Sequence, residues 1–285
     1  MSAKILLSAD STCDLGENLK KKYNVNYYPF YVIIDNKQYY DGVDITPEEI
    51  YKIYDEKNIL PKTAASGVGD YINHFKPWID QGYEIIHINI GSGLSSSYQN
   101  CCLAAKEFGG KLYPIDSCNL SSGTGLLVIE AAKRIEQGMS ASQIQKEISE
   151  LTSKVESSFV IDTLKFLHAG GRCSSVAALG ANLLKLRPCI EVNNHDGSMK
   201  VGKKYRGDYD KVLLQYVNDR IKGRTDIQND NIFITHSGVS DKKLSAVKEE
   251  LLKLHDFRNI HITKASCTIS AHCGPNTLGL LFIKK

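Results

Sequence analysis

The sequence has no CxxC pair, no long apolar run and little excess of charge of either sign. Eight cysteines are present, but apart from the adjacent pair Cys101-Cys102 they are scattered, so the spacing of a zinc ribbon or redox motif is missing. His272 and Cys273 are an alternative zinc-binding pair, yet no tetrahedral set of usable spacing accompanies them. We therefore expect reduced cysteines that act as small buried side chains.

The small net charge excludes one class of partner. A charge of +3 over 285 residues gives no electrostatic argument for binding nucleic acid.

The apolar run near the first residue is too short for a signal peptide and is followed directly by Asp10. No segment reaches the apolar length of a membrane span. These features predict a cytoplasmic globular protein without a membrane span.

Strand-like and helix-like segments alternate along the chain, which predicts an α/β fold with a parallel-rich sheet in the first half. Strands are predicted there at 4–8, 84–90 and 111–116, and at 26–34 paired with 37–40 around Asp35-Asn36. Thr46-Pro47-Glu48-Glu49 has the pattern of a helix start, with threonine as N-cap and acids in the first turn.

A second α/β unit is predicted to begin near residue 157. Its strands are expected at 159–162, 188–192, 199–203, 231–236, 259–264 and 278–283, with helices at 174–185, 209–222 and 241–255. We therefore predict two packed α/β domains, residues 1–157 and 158–285. The cleft between two such domains is a common place for a ligand.

The densest cluster of small polar residues is a segment that we call the serine loop, Gly91–Ser97, between the strand at 84–90 and a helix from Tyr98. Backbone N–H groups and hydroxyls at a helix N-terminus attract an anion such as a phosphate or a carboxylate. The alternative is a loop in which serines cap the helix. A P-loop lysine and a GxSxG elbow are missing, and Ser96 replaces the third glycine of GxGxxG.

Two other loops offer polar side chains near predicted strands. Thr63 and Ser66 precede a helix, where a hydroxyl either caps that helix or faces the same anion as Ser95. Asp10 and Asp14 follow the first strand, where they either form a metal or acid-base pair or cap the next helix. The loop after this strand and the serine loop both lie at the carboxyl ends of predicted strands. This is the edge of a sheet where α/β proteins bind ligands.

His272 and Arg172 are further candidates. The segment Ser270–Pro275 is predicted to be a polar turn between apolar strands, and a histidine in such a loop has either a site role or a structural one. Arg172 follows Gly170-Gly171, which places a cation capable of bidentate hydrogen bonds beside a flexible turn. The alternative for Arg172 is a surface arginine.

Six segments, in this order, resemble the DegV family. They are Asp10-Ser11, Pro61-Lys62-Thr63, Gly93-Leu94-Ser95 ending in Tyr98-Gln99, Asp116-Ser117, Leu164-Lys165-Phe166-Leu167 running into Gly170-Gly171-Arg172, and His272-Cys273-Gly274-Pro275. The match spans essentially the whole chain, and six short motifs in register are specific. The chain departs from the family pattern at Ala64, Ser96-Ser97 and Asn276.

The resemblance implies a two-domain α/β protein that holds one long-chain fatty acid between its domains and uses no cofactor. It further implies a partner, the ATP-using kinase protein of a fatty acid kinase system, that converts the presented acid to an acyl phosphate. On this interpretation the chain is a lipid-binding subunit without catalysis of its own.

The resemblance also implies residue roles. The carboxylate site corresponds to Thr63, Ser95 and His272, with Ser270 adjacent to it and Ser96 as a further candidate. Contact with the kinase or the acyl phosphate corresponds to Arg172. Independently of the resemblance, the sequence offers Lys204 and Arg206 as further candidates for the same positive rim. For the apolar tunnel that an acyl tail requires, the sequence offers Phe159, Ile161, Leu164, Leu167 and the segment 179–186, for which the alternative is ordinary core.

Two other functions stay open. Ser95 or Ser96 with His272 would suit a stand-alone acyl hydrolase or phosphotransferase. A Rossmann-type nucleotide-binding module would use the same serine loop, although the missing third glycine counts against it.

Overall fold

The computed structural model describes residues 4–177 and 186–285, which form an α/β protein with three sheets. In the first half the elements are β1 (Lys4–Asp10), α1 (Gly16–Lys22), β2 (Asn26–Tyr28), β3 (Tyr31–Ile34), β4 (Lys37–Tyr40), α2 (Pro47–Lys57), β5 (Lys62–Ala64), α3 (Val68–Asp80), β6 (Tyr83–Asn89), α4 (Ser97–Ala105), β7 (Leu112–Asp116), α5 (Ser121–Glu136) and α6 (Ala141–Leu151). In the second half they are β8 (Val155–Val160), α7 (Lys165–Gly170), α8 (Ser174–Ala177), β9 (Leu186–Val192), β10 (Met199–Arg206), α9 (Tyr209–Ile221), β11 (Ile227–Ser237), α10 (Asp241–Leu254), β12 (Asn259–Lys264), α11 (Cys267–Cys273) and β13 (Thr277–Lys284).

The first sheet is four-stranded and fully parallel, with the order β2-β1-β6-β7. In the inner strand β6, Ile85, Ile86 and Ile88 are completely buried because both faces of the sheet are covered. The carboxyl ends of β1, β6 and β7 therefore meet at one edge. The predicted parallel sheet is confirmed, and the serine loop lies at this edge as expected.

The segment at 26–34, predicted as one strand, is divided between two sheets. Pro29 lacks an N–H group and separates β2, which joins the parallel sheet, from β3. Strand β3 pairs antiparallel with β4 and β5 to form a three-stranded sheet. The predicted turn at Asp35-Asn36 is confirmed, and both residues have positive φ angles, as a tight two-residue hairpin requires.

The third sheet is six-stranded and mixed, with the order β10-β9-β8-β13-β11-β12. Only the β11–β12 pair is parallel, whereas the other pairs are antiparallel. Strand β8 crosses residue 157 and pairs with β9 and β13, so all of it belongs to this sheet. The division of the chain at 157/158 stays a proposal. The predicted helix at 174–185 is described only as α8, because residues 178–185 lie outside the described ranges.

Helix α5 is the layer between the parallel sheet and the mixed sheet. Its first nine residues are all buried, and it contacts β1 and β6 on one side and β8, β11 and β13 on the other. One apolar cluster runs through this layer, from Ile86 and Ile88 of the first sheet to Phe233 and Leu281 of the third. Burial of this continuous apolar surface holds the two halves together.

The capping alternative is wrong for four residues. Thr63 lies in β5, and the N-cap of α3 is Gly67, not Thr63 or Ser66. Neither Asp10 nor Asp14 caps α1. Helix α2, in contrast, begins with the predicted capping box: Thr46 Oγ1 accepts from Glu49 N at 3.3 Å, and Glu49 Oε2 accepts from Thr46 N at 2.8 Å.

Asp10 and Asp14 are both buried and bind neighbouring loops instead. Asp14 accepts hydrogen bonds from Ser121 Oγ at 2.5 Å and from Ser266 N at 2.9 Å, and burial raises the pKa of its carboxyl to about 7. Asp10 Oδ2 accepts from Ile90 N at 2.8 Å. The acid groups therefore join separate parts of the chain, and this is why they do not serve as local caps.

We expect Asp10→Ala to lower the free energy of unfolding by about 3 kcal/mol, because Ile90 N and the completely buried His87 Nε2, which lies 3.1 Å from Asp10 Oδ1, would lose their partner. Urea-induced unfolding measures the change. The matched control is Asp80→Ala, whose carboxylate forms an exposed ion pair with Lys76 and should contribute less than about 1 kcal/mol. Equal losses in the two variants would contradict the structural role of Asp10.

Candidate functional site

The serine loop is fixed at the ends of two neighbouring strands. Ile90 N donates to Asp10 Oδ2 of β1 at 2.8 Å, and Ser92 N donates to Asp116 Oδ1 at the end of β7 at 3.1 Å. Backbone N–H groups of the loop are thus used by carboxylates of the protein itself. The loop is consequently rigid at its start, and its remaining polar groups belong to the serines that follow.

The second half of the chain also contacts the serine loop. Gly93 N donates to the carbonyl oxygen of Asp196 at 2.7 Å, in the turn between β9 and β10. A Cβ atom at Gly93 would lie 2.8 Å from the same oxygen, so only glycine allows this approach. The loop therefore sits between the two halves.

Within the serine loop the hydroxyls differ in exposure and bonding. Ser95 is half-buried; its Oγ lies 2.7 Å from Ser97 Oγ and accepts from Ser97 N at 3.2 Å. Ser96 is exposed and is the N-cap of α4 without a side-chain cap bond. Ser95 thus accepts from the first N–H group of α4 without being its N-cap, and it is also a wall of the cavity described below.

His272 lies in a helix, and the predicted polar turn is wrong. Helix α11 covers the segment; its N-cap is Ser266, whose hydroxyl accepts from Ile269 N at 3.4 Å, and Gly274 ends it with a positive φ of 75°. The turn residues Gly274 and Pro275 misled the prediction, because they follow the helix and do not interrupt it.

A buried carboxylate from the first half binds the first turn of α11. Asp41 Oδ1 accepts from Cys267 N at 2.7 Å, and Oδ2 accepts from Thr268 N at 3.1 Å and from Ser11 Oγ at 3.0 Å. The unpaired N–H groups of a helix start and its dipole favour a negative charge there. This contact fixes α11 against the three-stranded sheet.

The result is a direct contact between two predicted site residues. Thr63 Oγ1 lies 2.8 Å from His272 Nε2, although 209 positions separate them. Desolvation lowers the pKa of His272 to about 4, and the charge of Arg172 contributes in the same direction. The imidazole is therefore neutral near pH 7, and one of its nitrogens donates while the other accepts.

A cavity that we call the head cavity, with about 480 Å³ of space including a part open to solvent, brings most of the predicted site together. It is lined by residues of both halves: Phe30, Thr63, Ala64, Ala65, Ile90, Leu94, Ser95, Leu120, Arg172, Met199, Thr268, Ile269 and His272. Arg172 is exposed, and it donates to the carbonyl oxygens of Gly170 at 2.8 Å and of Leu94 at 3.4 Å. The polar groups thus gather at one cavity, and Arg172 is the single cation among the described residues that line it.

A second cavity, the tail cavity, shares Leu120, Met199, Ile269 and His272 with the first. Its space of about 520 Å³ also includes a part open to solvent. It lies deeper, between α5, α11 and the mixed sheet, and its walls include Phe159, Leu167, Cys273 and Leu281. Its hydroxyls are engaged within the protein, as in the pair formed by Ser158 Oγ and Tyr216 OH at 2.9 Å. An apolar chain would therefore find few free polar groups there.

Some predicted residues lie elsewhere. Ser270 lines neither cavity. It is completely buried, and its hydroxyl donates to the carbonyl oxygen of Ala265 at 3.4 Å. Ser96 also lines neither, and Lys204 and Arg206 are exposed residues of β10 outside both lining sets. These four residues therefore do not line the cavity that Thr63, Ser95 and His272 share.

The tunnel residues were predicted in part. Phe159 and Leu167 line the tail cavity, whereas Ile161 and Leu164 do not. Of the segment 179–186, only Leu186 lies within the described ranges. Sequence reasoning missed Thr268, Met199, Leu120 and Ile269, because no local pattern distinguishes them from ordinary core residues.

The described residues contain neither a metal-binding cluster nor a serine nucleophile hydrogen-bonded to a histidine base. Within 4–177 and 186–285, no group of three or more His, Cys, Asp or Glu side chains could hold a metal ion. His272 Nε2 is bonded to Thr63 and Ser95 Oγ to Ser97, so a serine nucleophile and its base do not share a hydrogen bond here.

Comparison with known proteins assigns the family. The chain matches the DegV family, described as uncharacterised proteins, over residues 4–285. It belongs to the DegV family. A DegV domain-containing protein of Clostridium acetobutylicum is 32% identical over 283 residues, and one of Staphylococcus aureus is 30% identical over 288 residues, each alignment covering 99% of both chains.

Solved structures of other proteins share the fold of this chain. A fatty-acid-binding DegV protein from Thermus thermophilus is 26% identical, with a TM-score of 0.86 over 99% of this chain and 100% of that one. A stearic acid-binding protein from Eubacterium ventriosum has a TM-score of 0.81 over 100% of this chain and 99% of that one, and at 24% identity it supports the fold alone. The predicted two-domain α/β class is confirmed by such neighbours.

We expect Gly170→Ala to displace the imidazole of His272, because a Cβ atom at this position would collide with Nδ1. The measurement is the ¹H–¹³C NMR signal of the His272 ring, which should shift or broaden. Gly69→Ala is the control, since a Cβ there meets nothing within 4 Å. An unchanged His272 signal in the Gly170 variant would show that the ring has more room than the structure gives it.

Proposed function

We propose that this protein binds one long-chain fatty acid, with the carboxylate in the head cavity and the acyl chain in the tail cavity. The observation that carries the proposal is the junction of the two cavities at His272. Neutral donors lie on one side of this junction and mainly apolar walls on the other. The Thermus thermophilus relative, a fatty-acid-binding protein of the same fold, supports the ligand class.

In this proposal Thr63, Ser95 and His272 hold the carboxylate. All three line the head cavity, and no acidic side chain is among the lining residues of the described chain. Two hydroxyls and a neutral imidazole can donate to an anion without first losing a strong ion-pair partner. Ser96 and Ser270 lie outside the cavity, so we omit them from the carboxylate site.

The acyl chain provides most of the affinity. Burial of one methylene group contributes roughly 0.8 kcal/mol, so a chain of about fourteen contributes roughly 11 kcal/mol before the costs of ordering. The polar groups contribute less but decide which end of the ligand lies at Arg172. This division explains why the deep cavity needs apolar walls more than directed bonds.

We further propose that the bound acid is presented to a separate ATP-dependent kinase, which forms the acyl phosphate. The exposed Arg172 at the head cavity supports this step, because a guanidinium suits both a phosphate and an acidic partner surface. The hydrogen bonds of Ser95 and His272 favour binding over stand-alone hydrolysis. A kinase of this kind would meet the protein in the cytoplasm. Among the described residues, no helix has the length and apolar character of a membrane span.

The first test is mass spectrometry of the purified protein, followed by affinity measurement. We expect an extractable fatty acid, and we expect Thr63→Val and Ser95→Ala each to weaken binding of palmitate by about 1–3 kcal/mol, the range for a lost bond to a charged group. Ser96→Ala is the matched control and should bind like the unmodified chain. An empty protein that takes up no added fatty acid would refute the proposed function.

The second test concerns Arg172. We expect Arg172→Ala to keep palmitate affinity within about threefold while acyl phosphate formation with a fatty acid kinase falls by about tenfold or more, since the lost contacts would be to phosphate or partner. Lys204→Ala, an exposed cation outside the cavity, is the control. A variant that loses lipid but phosphorylates normally what it still binds would contradict this assignment.

A further inference from the structure

Thr268 is a cavity residue that the sequence did not indicate. It lies in the first turn of α11, four residues before His272, so the two side chains are on the same face of the helix. Both line the head cavity together with Thr63 and Ser95. Thr268 is only 5% exposed, although its side chain is polar.

The hydroxyl of Thr268 has no hydrogen-bond partner among the described residues. A threonine inside a helix usually bonds to the carbonyl group one turn earlier. Thr268 stands in the first turn, so no earlier turn of α11 offers a carbonyl, and the nearby carbonyl of Ala265 already accepts from Ser270 Oγ at 3.4 Å. A buried donor without a partner is unusual in a native protein and calls for a ligand or a water molecule.

The other hydroxyls of the head cavity differ in this respect. Thr63 Oγ1 is paired with His272 Nε2 at 2.8 Å and Ser95 Oγ with Ser97 Oγ at 2.7 Å. The neighbouring Ala64 and Ala65 have no polar side-chain atoms. Thr268 therefore holds a hydroxyl that can donate to a ligand without breaking a bond within the protein.

The charge of the surroundings favours an anionic acceptor. Arg172 is the charged residue among those that line the head cavity in the described chain. Asp41 lies at the N-terminal end of α11, where its carboxylate accepts from Ser11 Oγ and from the N–H groups of Cys267 and Thr268. Thr268, whose hydroxyl has no partner in the described chain, and Arg172 thus line the same cavity.

We propose that Thr268 is a fourth carboxylate-binding residue, whose hydroxyl donates to the ligand's carboxylate and makes the site select an acid over a neutral head group. This inference rests on the proposed function and adds a specificity residue to it. A hydrogen bond to a charged acceptor is stronger than one to a neutral acceptor, so its loss must weaken binding of an acid more than binding of an alcohol of equal chain length.

The experiment compares palmitate with hexadecanol on lipid-free full-length protein, by displacement of a fluorescent fatty acid. We expect Thr268→Val, which keeps the shape and removes the hydroxyl, to raise the Kd for palmitate about tenfold and that for hexadecanol less than about threefold. Thr268→Ser keeps the hydroxyl and should restore palmitate binding to within about threefold. Thr152→Val is the control, since this buried threonine bonds to the carbonyl of Ser149 at 2.8 Å outside both cavities.

The outcomes separate the inference from the proposed function. Equal losses for palmitate and hexadecanol, or unchanged palmitate binding in Thr268→Val while Thr63→Val is impaired, would overturn the role of Thr268 and leave fatty acid binding intact. Failure of the unmodified chain to bind palmitate would overturn the proposed function itself. If Thr268→Val does not fold, Thr268→Cys, with a weak donor of similar size, must show the same selective loss for palmitate.

Discussion

The structure depends on one buried carboxylate. Asp41 comes from the end of the small antiparallel sheet and binds the first turn of α11, which belongs to the other half of the chain. When the free N–H groups at the start of a helix donate to a fixed carboxylate, the position and the orientation of the helix are fixed. Because α11 is fixed there, His272 meets Thr63 and the head cavity has a wall from each half.

The site is therefore a property of the packing between halves. Helix α5 fills the space between the parallel and mixed sheets, and the apolar cluster around it joins strands from both. Gly93 in turn brings the serine loop against Asp196 of the second half. Close packing across this layer makes a cavity whose lining residues are fixed by distant segments, so a small displacement of α11 would change all of its polar contacts.

Features that depend on residues close together in sequence could be predicted, and those that depend on contacts between distant residues could not. The capping box at Thr46 and the turn at Asp35-Asn36 were correct, because both depend on residues within four positions. The supposed caps Thr63 and Asp10 were wrong, since each side chain is used in a long-range contact that local rules cannot represent. His272 was expected in a turn for the same reason: Asp41, far away in sequence, helps to complete its helix.

The sequence by itself determined the alternation of strands and helices, the position of the serine loop at a strand end, and the resemblance to the family. These follow from local periodicity, from turn residues and from motifs in a fixed order. Only the tertiary structure decided that Thr63, Ser95 and His272 share one cavity, that Ser270 is excluded, and that Thr268 is included. Those results depend on which buried donors find partners, and the folded chain settles this by bringing distant residues into contact.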